Sequence, residues 1–346
     1  GHDFRPAYLR LGAERRALGD PQVLALTATA TPRVRDGILD RLVMEDPEVV
    51  IAPPHRPNLR LECEVVTLAT KPLRAGKLIK KLKRPGIVYC STTVETEAVY
   101  NALTKARIPC ARYHGRMRKA DREAAQRAFM SKRPMLMVAT NAFGMGIDKP
   151  DIRFILHYQA PGSLEQYVQE AGRAGRDGKP SRCILLFDPD DMRIQAHLQS
   201  KGRPSPVQLR RVASALAAWA EEGRSVGAED LALAAGVPKT TARAMCAELE
   251  AFGMLRLESG EYEVLVSARE LGRGADELAK SFETLRKEDT ERREALVAYA
   301  DSTECRSVVL RRWFGEEAPP PCGTCDRCSS GPAAGTTHRR RPSKTG

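Results

Sequence analysis

Gly86-Ile87-Val88-Tyr89-Cys90 is an unbroken apolar stretch of strand length, and Ser91 or Thr92 directly after it can cap a helix running to about Lys105. The unit then repeats. Residues 110–114 read as a strand with a turn at Gly115, and residues 118–130 as a helix. Residues 135–139 and 154–158 read as strands, 163–172 as a helix and 183–187 as a last strand. Short apolar strands alternating with helices predict an α/β fold with a parallel sheet covered on both faces. Ligands of such sheets sit beyond the carboxyl ends of the strands. The loops after Cys90, His114 and Ala139 are therefore expected to carry function.

Outward from this run the rhythm changes. On the amino-terminal side, Val23-Leu-Ala-Leu-Thr-Ala28 reads as a buried strand, and Thr31-Pro32 primes a helix to Leu42. Residues 61–68 read as a strand and 73–83 as a basic helix. On the carboxyl side, Pro204-Ser-Pro206 marks a boundary, followed by an amphipathic helix over 207–222. Residues 228–235 are a short helix, Gly236-Val237-Pro238 a turn and 239–252 a second helix. Residues 255–265 alternate as a hairpin turning at Ser259-Gly260. Helix, tight turn, helix and hairpin make the outline of a winged helix. Residues 275–300 return to helix, and the Gly, Pro, Thr and basic residues after Ser329 read as a disordered tail.

The 346 residues are 42% hydrophobic, enough for two or three domains with their own cores. Aromatic residues are only 5%, so Leu, Val, Ala and Ile must fill those cores. No apolar run is long enough for a membrane-spanning helix, and no signal peptide is visible. The expected location is the cytoplasm, at the bacterial nucleoid. The chain opens on Gly1 rather than Met and reads as a piece of a longer protein. Net charge is +12, and residues 71–133 alone hold 17 basic against 4 acidic side chains. A face that merely aids solubility would mix both signs, so nucleic acid is the partner this density implies.

Four stretches carry chemistry. In Gln169-Glu-Ala-Gly-Arg173-Ala-Gly-Arg176-Asp-Gly178, two arginines three apart are separated by small residues that let a charged ligand approach. Guanidinium is permanently charged and forks onto phosphate oxygens, which suits a nucleoside triphosphate during hydrolysis. The plain alternative is a glycine-rich surface turn. In Ala139-Thr-Asn-Ala-Phe-Gly-Met-Gly-Ile-Asp148, Thr140 and the glycines allow close approach to a phosphate, and Asp148 can orient an arginine or a ribose hydroxyl. A sharp loop without ligand is the alternative. His114 can reach a DNA phosphate or serve as a structural turn histidine.

The fourth stretch is Cys322-Gly-Thr-Cys325-Asp-Arg-Cys328, with Cys305 seventeen residues upstream. Four thiolates suit a closed tetrahedral zinc site of structural kind, with an iron–sulfur cluster as the rival. The other five cysteines (Cys63, Cys90, Cys110, Cys183 and Cys246) read as small buried hydrophobes.

Taken in order, these segments resemble the RecQ family of superfamily 2 DNA helicases. His2-Asp3-Phe4-Arg5-Pro6 resembles the end of that family's aromatic-rich loop, and Leu26-Thr27-Ala28-Thr29 its motif III. Val88-Tyr89-Cys90-Ser91 resembles motif IV, residues 139–148 motif V and residues 169–178 motif VI. Trp313-Phe314-Gly315-Glu316 followed by Cys322, Cys325 and Cys328 resembles the family's zinc module, with Cys305 the first ligand.

The resemblance implies a RecA-like lobe over 61–200, a remnant of a first RecA-like lobe over 1–60 and a zinc module over 301–330. It further implies ATP and Mg2+ as cofactors beside structural Zn2+. ATP-driven 3′-to-5′ unwinding of DNA, in repair and recombination, is the implied activity. Arg173, Arg176 and Gln169 would face the phosphates, with Gly146 and Asp148 also at the nucleotide. His2, Phe4, Arg5, Thr27, Thr29, Ser91, His114, Thr140 and Asn141 would serve DNA, as single strand and duplex junction. Residues 203–300 would hold the winged-helix-like domain (core 228–266), and 331–346 the basic tail.

Two departures stand out. The chain contains no Gly-x4-Gly-Lys-Ser/Thr and no strand followed by Asp-Glu-x-His. The lysine that grips the triphosphate and the acids that hold magnesium are thus missing, and this chain alone is expected not to hydrolyse ATP. The winged helix also precedes the zinc cysteines, whereas the family order places it after them. The alternative functions are a non-enzymatic DNA-binding module or a winged-helix transcription regulator.

Overall fold

The computed structural model describes residues 11–12, 15–27, 29–52, 55–144, 146–200 and 204–330. Two compact units emerge, one of residues 52–192 with 295 onward, the other of residues up to 51 with 193–294.

In the amino-terminal segment, Pro32–Leu42 forms α1, with Pro32 at the first helical position. The strand expected over 23–28 does not form among the described residues. Leu24 and Leu26 are 80% and 84% exposed. An apolar run becomes a strand only where a ladder accepts its backbone groups, and none of the described strands pairs with it.

The sheet unit begins with β1 (Leu59–Val65), two residues earlier than the alternation suggests, and α2 (Lys71–Lys81). The helix starts before the expected residue 73, with Pro72 in its first turn, and Lys71 is not solvated. Its ammonium lies buried against Asp191 at 2.8 Å. There follow β2 (Gly86–Tyr89), α3 (Thr93–Lys105), β3 (Cys110–Tyr113), α4 (Lys119–Met130), β4 (Leu136–Ala139), β5 (Phe154–His157), α5 (Leu164–Ala171) and β6 (Ser181–Phe187). Thr92 caps α3, its hydroxyl accepting the Glu95 N–H at 3.1 Å, and Ser163 does the same for α5 from Gln166 at 3.2 Å.

All six strands are parallel, in the order β1-β6-β5-β2-β4-β3. Every residue of β2, β4 and β5 is buried. That is why these strands read as unbroken apolar runs rather than alternating ones. Alternation survives in which face each residue feeds. Val88, Leu136, Val138, Phe154 and Leu156 enter one core, while Ile87, Tyr89, Met137, Ala139 and Ile155 enter another on the opposite face. Between β4 and β5 the chain crosses β2, and residues 140–153 make that crossing. This reversal of strand order is where a parallel sheet opens a ligand crevice.

The helix α6 (Asp191–Ser200) follows β6 and was not legible from the sequence. The second unit contains α7 (Pro206–Glu221), β7 (Val226–Gly227), α8 (Ala228–Ala235), α9 (Lys239–Ala251), β8 (Leu255–Glu258) and β9 (Glu261–Val264). A capping box of Ser205 and Gln208 opens α7. Gly236, in the left-handed region at φ +61°, ends α8 and lets the chain turn into α9. β8 and β9 form the expected hairpin, with Ser259 and Gly260 both at positive φ, and β7 pairs with β9.

The long helix α10 spans Ala268–Asp301, followed by α11 (Arg306–Trp313) and α12 (Asp326–Ser330). Leu296, Tyr299, Ala300 and Leu310 pack with Tyr167, Leu185 and Phe187 in a third core of the sheet unit. No described helix is long and apolar enough to cross a membrane.

Candidate functional site

The arginine pair follows α5 in a loop that the fold fixes from two sides. From upstream of β1, Arg56 donates to the Gly172 and Gly175 carbonyls at 2.9 and 2.5 Å, and Asn58 donates to Gly175 O at 2.8 Å. Gly175 sits at φ +54°, and a Cβ there would lie 2.6 Å from the Asn58 amide and 2.8 Å from Lys179 O. Only glycine meets both conditions. Arg56 and Asn58 escaped the sequence reading. Nothing in their spacing announces them, since their partners are backbone carbonyls more than a hundred residues away.

From the other side, both arginines close onto the 140–148 crossing. Arg173 donates to the Gly144 carbonyl. Arg176 donates to Ile147 O at 3.0 Å and pairs with the Asp148 carboxylate at 2.8 Å. A Cβ on Gly144 would lie 2.6 Å from the Arg173 guanidinium, so glycine makes that approach possible. The Arg173 Nε is buried with no hydrogen-bond partner. Tyr89, on β2, joins the cluster by donating its hydroxyl to Phe143 O at 3.0 Å, and burial raises its pKa. Beneath lies a buried relay. His157 Nε2 meets Glu170 Oε2 at 2.8 Å, and Gln166 donates to the other Glu170 oxygen at 2.9 Å. Gln169 is exposed on α5, and Gly146 has φ +75°.

The strand-end residues form a second group. Tyr89, Ala139 and Tyr113 share one level of three neighbouring strands, so Cys90, Thr140 and His114 emerge side by side at the carboxyl edge, with Ser91 one residue beyond. Asn141 is exposed there. Ser91 N–H donates to Gln159 Oε1 at 2.9 Å. His114 is buried, its Nε2 2.8 Å from Glu97 Oε1 and its Nδ1 without a partner. Thr140 is also buried, so backbone and short side chains dominate this edge. Thr27 and Thr29 lie in the other unit, where the Thr27 hydroxyl makes a local turn with Thr29 at 3.2–3.3 Å. His2, Phe4, Arg5 and the 331–346 tail lie outside the described residues.

The third group is metallic in character. The sulfurs of Cys305, Cys322, Cys325 and Cys328 all lie within 4.8 Å of one another. Cys305 is 3.5 Å from Cys322 and 3.8 Å from Cys325. Four thiolates at Zn–S bonds of about 2.3 Å would sit roughly 3.8 Å apart, so the set fits a tetrahedral zinc ion. Backbone N–H groups of Cys322 and Cys328 point at the Cys305 and Cys325 sulfurs at 3.2 and 3.4 Å, as ligand thiolates require. Burial pushes the Cys322 thiol up, but donation from Thr324 and Cys325 outweighs it and holds the group at about 6. The scattered cysteines behave oppositely. Burial pushes Cys63, Cys183 and Cys246 up to about 12, as inert core thiols.

Three family descriptions match the chain: helicase conserved C-terminal domain over residues 70–178, RecQ zinc-binding over 271–329 and IclR helix-turn-helix domain over 208–259. The ATP-dependent DNA helicase RecQ of Synechocystis is 30% identical over 349 residues, an alignment covering 96% of this chain and 68% of that protein. This chain belongs to the RecQ family. In Bacillus subtilis, the probable ATP-dependent DNA helicase RecS is 39% identical over 249 residues, covering 71% of this chain and 50% of that protein. The RecQ helicase of the same organism is 42% identical over 200 residues, or 57% of this chain and 34% of that protein. The chain thus spans half or less of the length of these two Bacillus relatives.

Membership accounts for the parallel sheet and the cysteine cluster together, and it makes the four-thiolate set a structural zinc site rather than an iron–sulfur one. A DNA-binding module or a regulator built on the helix-turn-helix segment alone would leave both unexplained.

Proposed function

We propose that this chain supplies the second motor lobe, the zinc module and an inserted winged helix of an ATP-dependent 3′-to-5′ DNA helicase. In this reading ATP is gripped between the sheet unit and a further RecA-like lobe. That further lobe brings the phosphate-binding lysine and the magnesium-binding acids that no motif here provides. The observation that carries the reading is the double clamp of Arg173 and Arg176 onto residues 144–148. Both guanidiniums are pre-oriented by backbone, and the Arg176 side chain is exposed where a phosphate oxygen can reach it. Arginines so fixed stabilise charge on a transferring phosphoryl group without reorganising during the reaction.

Asp148 holds Arg176 when no phosphate competes for it. Gln169, Gly146 and the Gly144 carbonyl surround the same loop. The carboxyl-edge residues Ser91, His114, Thr140 and Asn141 then track one DNA strand through its backbone, without sequence preference. Because the 140–148 crossing links that edge to the arginines, nucleotide state and strand grip move together. Work on DNA in repair and recombination fits this reading.

The test has two arms. The chain by itself should show negligible ATPase with single-stranded DNA, and robust turnover would overturn the divided site. In the full helicase, Arg176→Ala should lower kcat roughly 10³-fold or more while nucleotide binding persists. Unchanged kcat would remove the arginine from the reaction.

A further inference from the structure

The basic cluster of residues 71–133 does not gather at the carboxyl edge. Three connections, residues 82–85, 106–109 and 131–135, lead from the helices α2, α3 and α4 into β2, β3 and β4. They meet at the opposite, amino-terminal pole of the sheet. The Gly86 N–H donates to Met135 O at 3.4 Å, and the Leu136 N–H to Pro109 O at 3.0 Å. Around this pole stand Lys81, Lys83, Arg84, Lys105, Arg107, Lys132 and Arg133. All are exposed except the half-buried Arg84. None makes an ion pair among the described residues. The acids nearby are already engaged, Asp151 with Lys149 at 3.2 Å and Asp177 with Arg153 at 2.7 Å.

Ordinary helix electrostatics covers part of this. Lys81 and Lys105 stand in the last turns of α2 and α3, where a cation favours the carboxyl end of a helix. Lys83, Arg84, Arg107, Lys132 and Arg133 lie past the helix ends, and that account does not reach them. Three neighbouring strands span only about 10 Å, near one screening length at physiological salt. The cations therefore repel one another unless an anion lies across them. Each connection also contains a proline, at Pro85, Pro109 or Pro134, which restricts the backbone that presents the charges.

We infer that this pole is a second nucleic-acid surface, one that binds the phosphate backbone of duplex DNA. Duplex is favoured over single strand by what the three connections lack. They contain no aromatic side chain on which a bare base could stack. They offer only guanidinium and ammonium groups, which read charge and not sequence. A patch of this width meets several phosphates, since duplex DNA carries one charge per about 1.7 Å of axis. The inference is independent of the nucleotide site and stands or falls without it.

The test compares the intact chain with a Lys83→Glu, Lys132→Glu, Arg133→Glu variant, by fluorescence anisotropy. The probes are a blunt duplex and an oligo-dT of equal length, each at several salt concentrations. The variant should lose about tenfold or more in duplex affinity, with a salt slope shallower by about three, and should bind oligo-dT within about twofold of wild type. The corresponding glutamine variant should fall between. Lysine acetylation of the unmutated protein gives a readout that no folding defect can mimic, with Lys83 and Lys132 protected by duplex and not by oligo-dT.

Duplex affinity unchanged in the variant, or Lys83 and Lys132 equally reactive with and without duplex, would overturn the inference. So would equal losses on both probes, which would mark a general charge effect. Unchanged duplex binding together with lost retention on polyglutamate would assign the pole to an acidic protein segment instead.

Discussion

The sheet unit buries charge in pairs, Lys71 with Asp191 at 2.8 Å and Arg306 with Asp326 at 3.1 Å, and it hydrogen-bonds the buried Glu170 to His157 at 2.8 Å. In the winged-helix unit, the core around α7–α9 and the hairpin is apolar from Leu209 to Tyr262. Two acids are buried in this unit among the described residues: Asp289 pairs with Arg292 at 3.2 Å, whereas Glu248 has an oxygen without a hydrogen-bond partner. The first unit uses paired charge to hold chemistry-bearing loops in register. Asp191, for instance, also accepts the Ala160 N–H at 2.8 Å. The core around α7–α9 needs only a shape, and the buried Glu248 costs it stability instead.

Zinc removal is the strongest way to break this contrast. The zinc module grips the sheet through Asp326, which binds Arg306 and also accepts the Cys63 N–H of β1 at 3.0 Å. A chelator, or Cys305→Ser, should lower the sheet unit's stability by several kcal/mol, because metal affinity is folding free energy. The chain's two tryptophans report the units separately, Trp313 in the sheet unit's third core and Trp219 beside the winged-helix core. Chelation should shift the Trp313 transition and leave Trp219 in place. A joint shift would show that the two cores do not melt independently.

Next in size is Asp326→Ala. Arg306 is fully buried and would lose its carboxylate partner, a loss expected to cost about 3–5 kcal/mol in urea unfolding read through Trp313. A cost below about 1 kcal/mol would mean that the Tyr299 and Ala300 carbonyls suffice for Arg306.

The smallest effect belongs to Glu248. Desolvation pushes its carboxyl up to about 7 from the ordinary value of 4.5. A raised carboxyl pKa means the folded state holds a proton that the unfolded state has released. Stability of the winged-helix unit should therefore be full below about pH 4.5 and fall between there and about pH 7, by roughly 3 kcal/mol. Glu248→Leu should flatten that slope in Trp219-monitored unfolding. An unchanged slope would place its origin elsewhere.

Much of this was written locally. The β2-to-β4 run, the hairpin turn at Ser259-Gly260 and the four zinc cysteines depend on near neighbours, so their residues announce them. The arginine loop was legible as a motif, and its clamp was not. Arg56, Asn58 and Gly144 act through backbone carbonyls distant in sequence, and carbonyls leave no mark on residue choice. The strand expected at 23–28 failed for a related reason, since apolarity gives a strand its preference but not its partner. His114 read equally well as a phosphate contact or a turn residue until burial against Glu97 gave its surroundings.

The sequence by itself determined the α/β class, the helix caps, the thiol set and the excess of positive charge, because periodicity, capping and composition are properties of neighbouring residues. Only the tertiary structure decided where that charge points. The strands run parallel, so each helix returns the chain to the amino-terminal pole before the next strand begins. Lys83, Arg107 and Arg133 are carried there by connectivity, away from the edge where Ser91, Thr140 and Asn141 stand. No count of lysines and arginines could have separated those two surfaces.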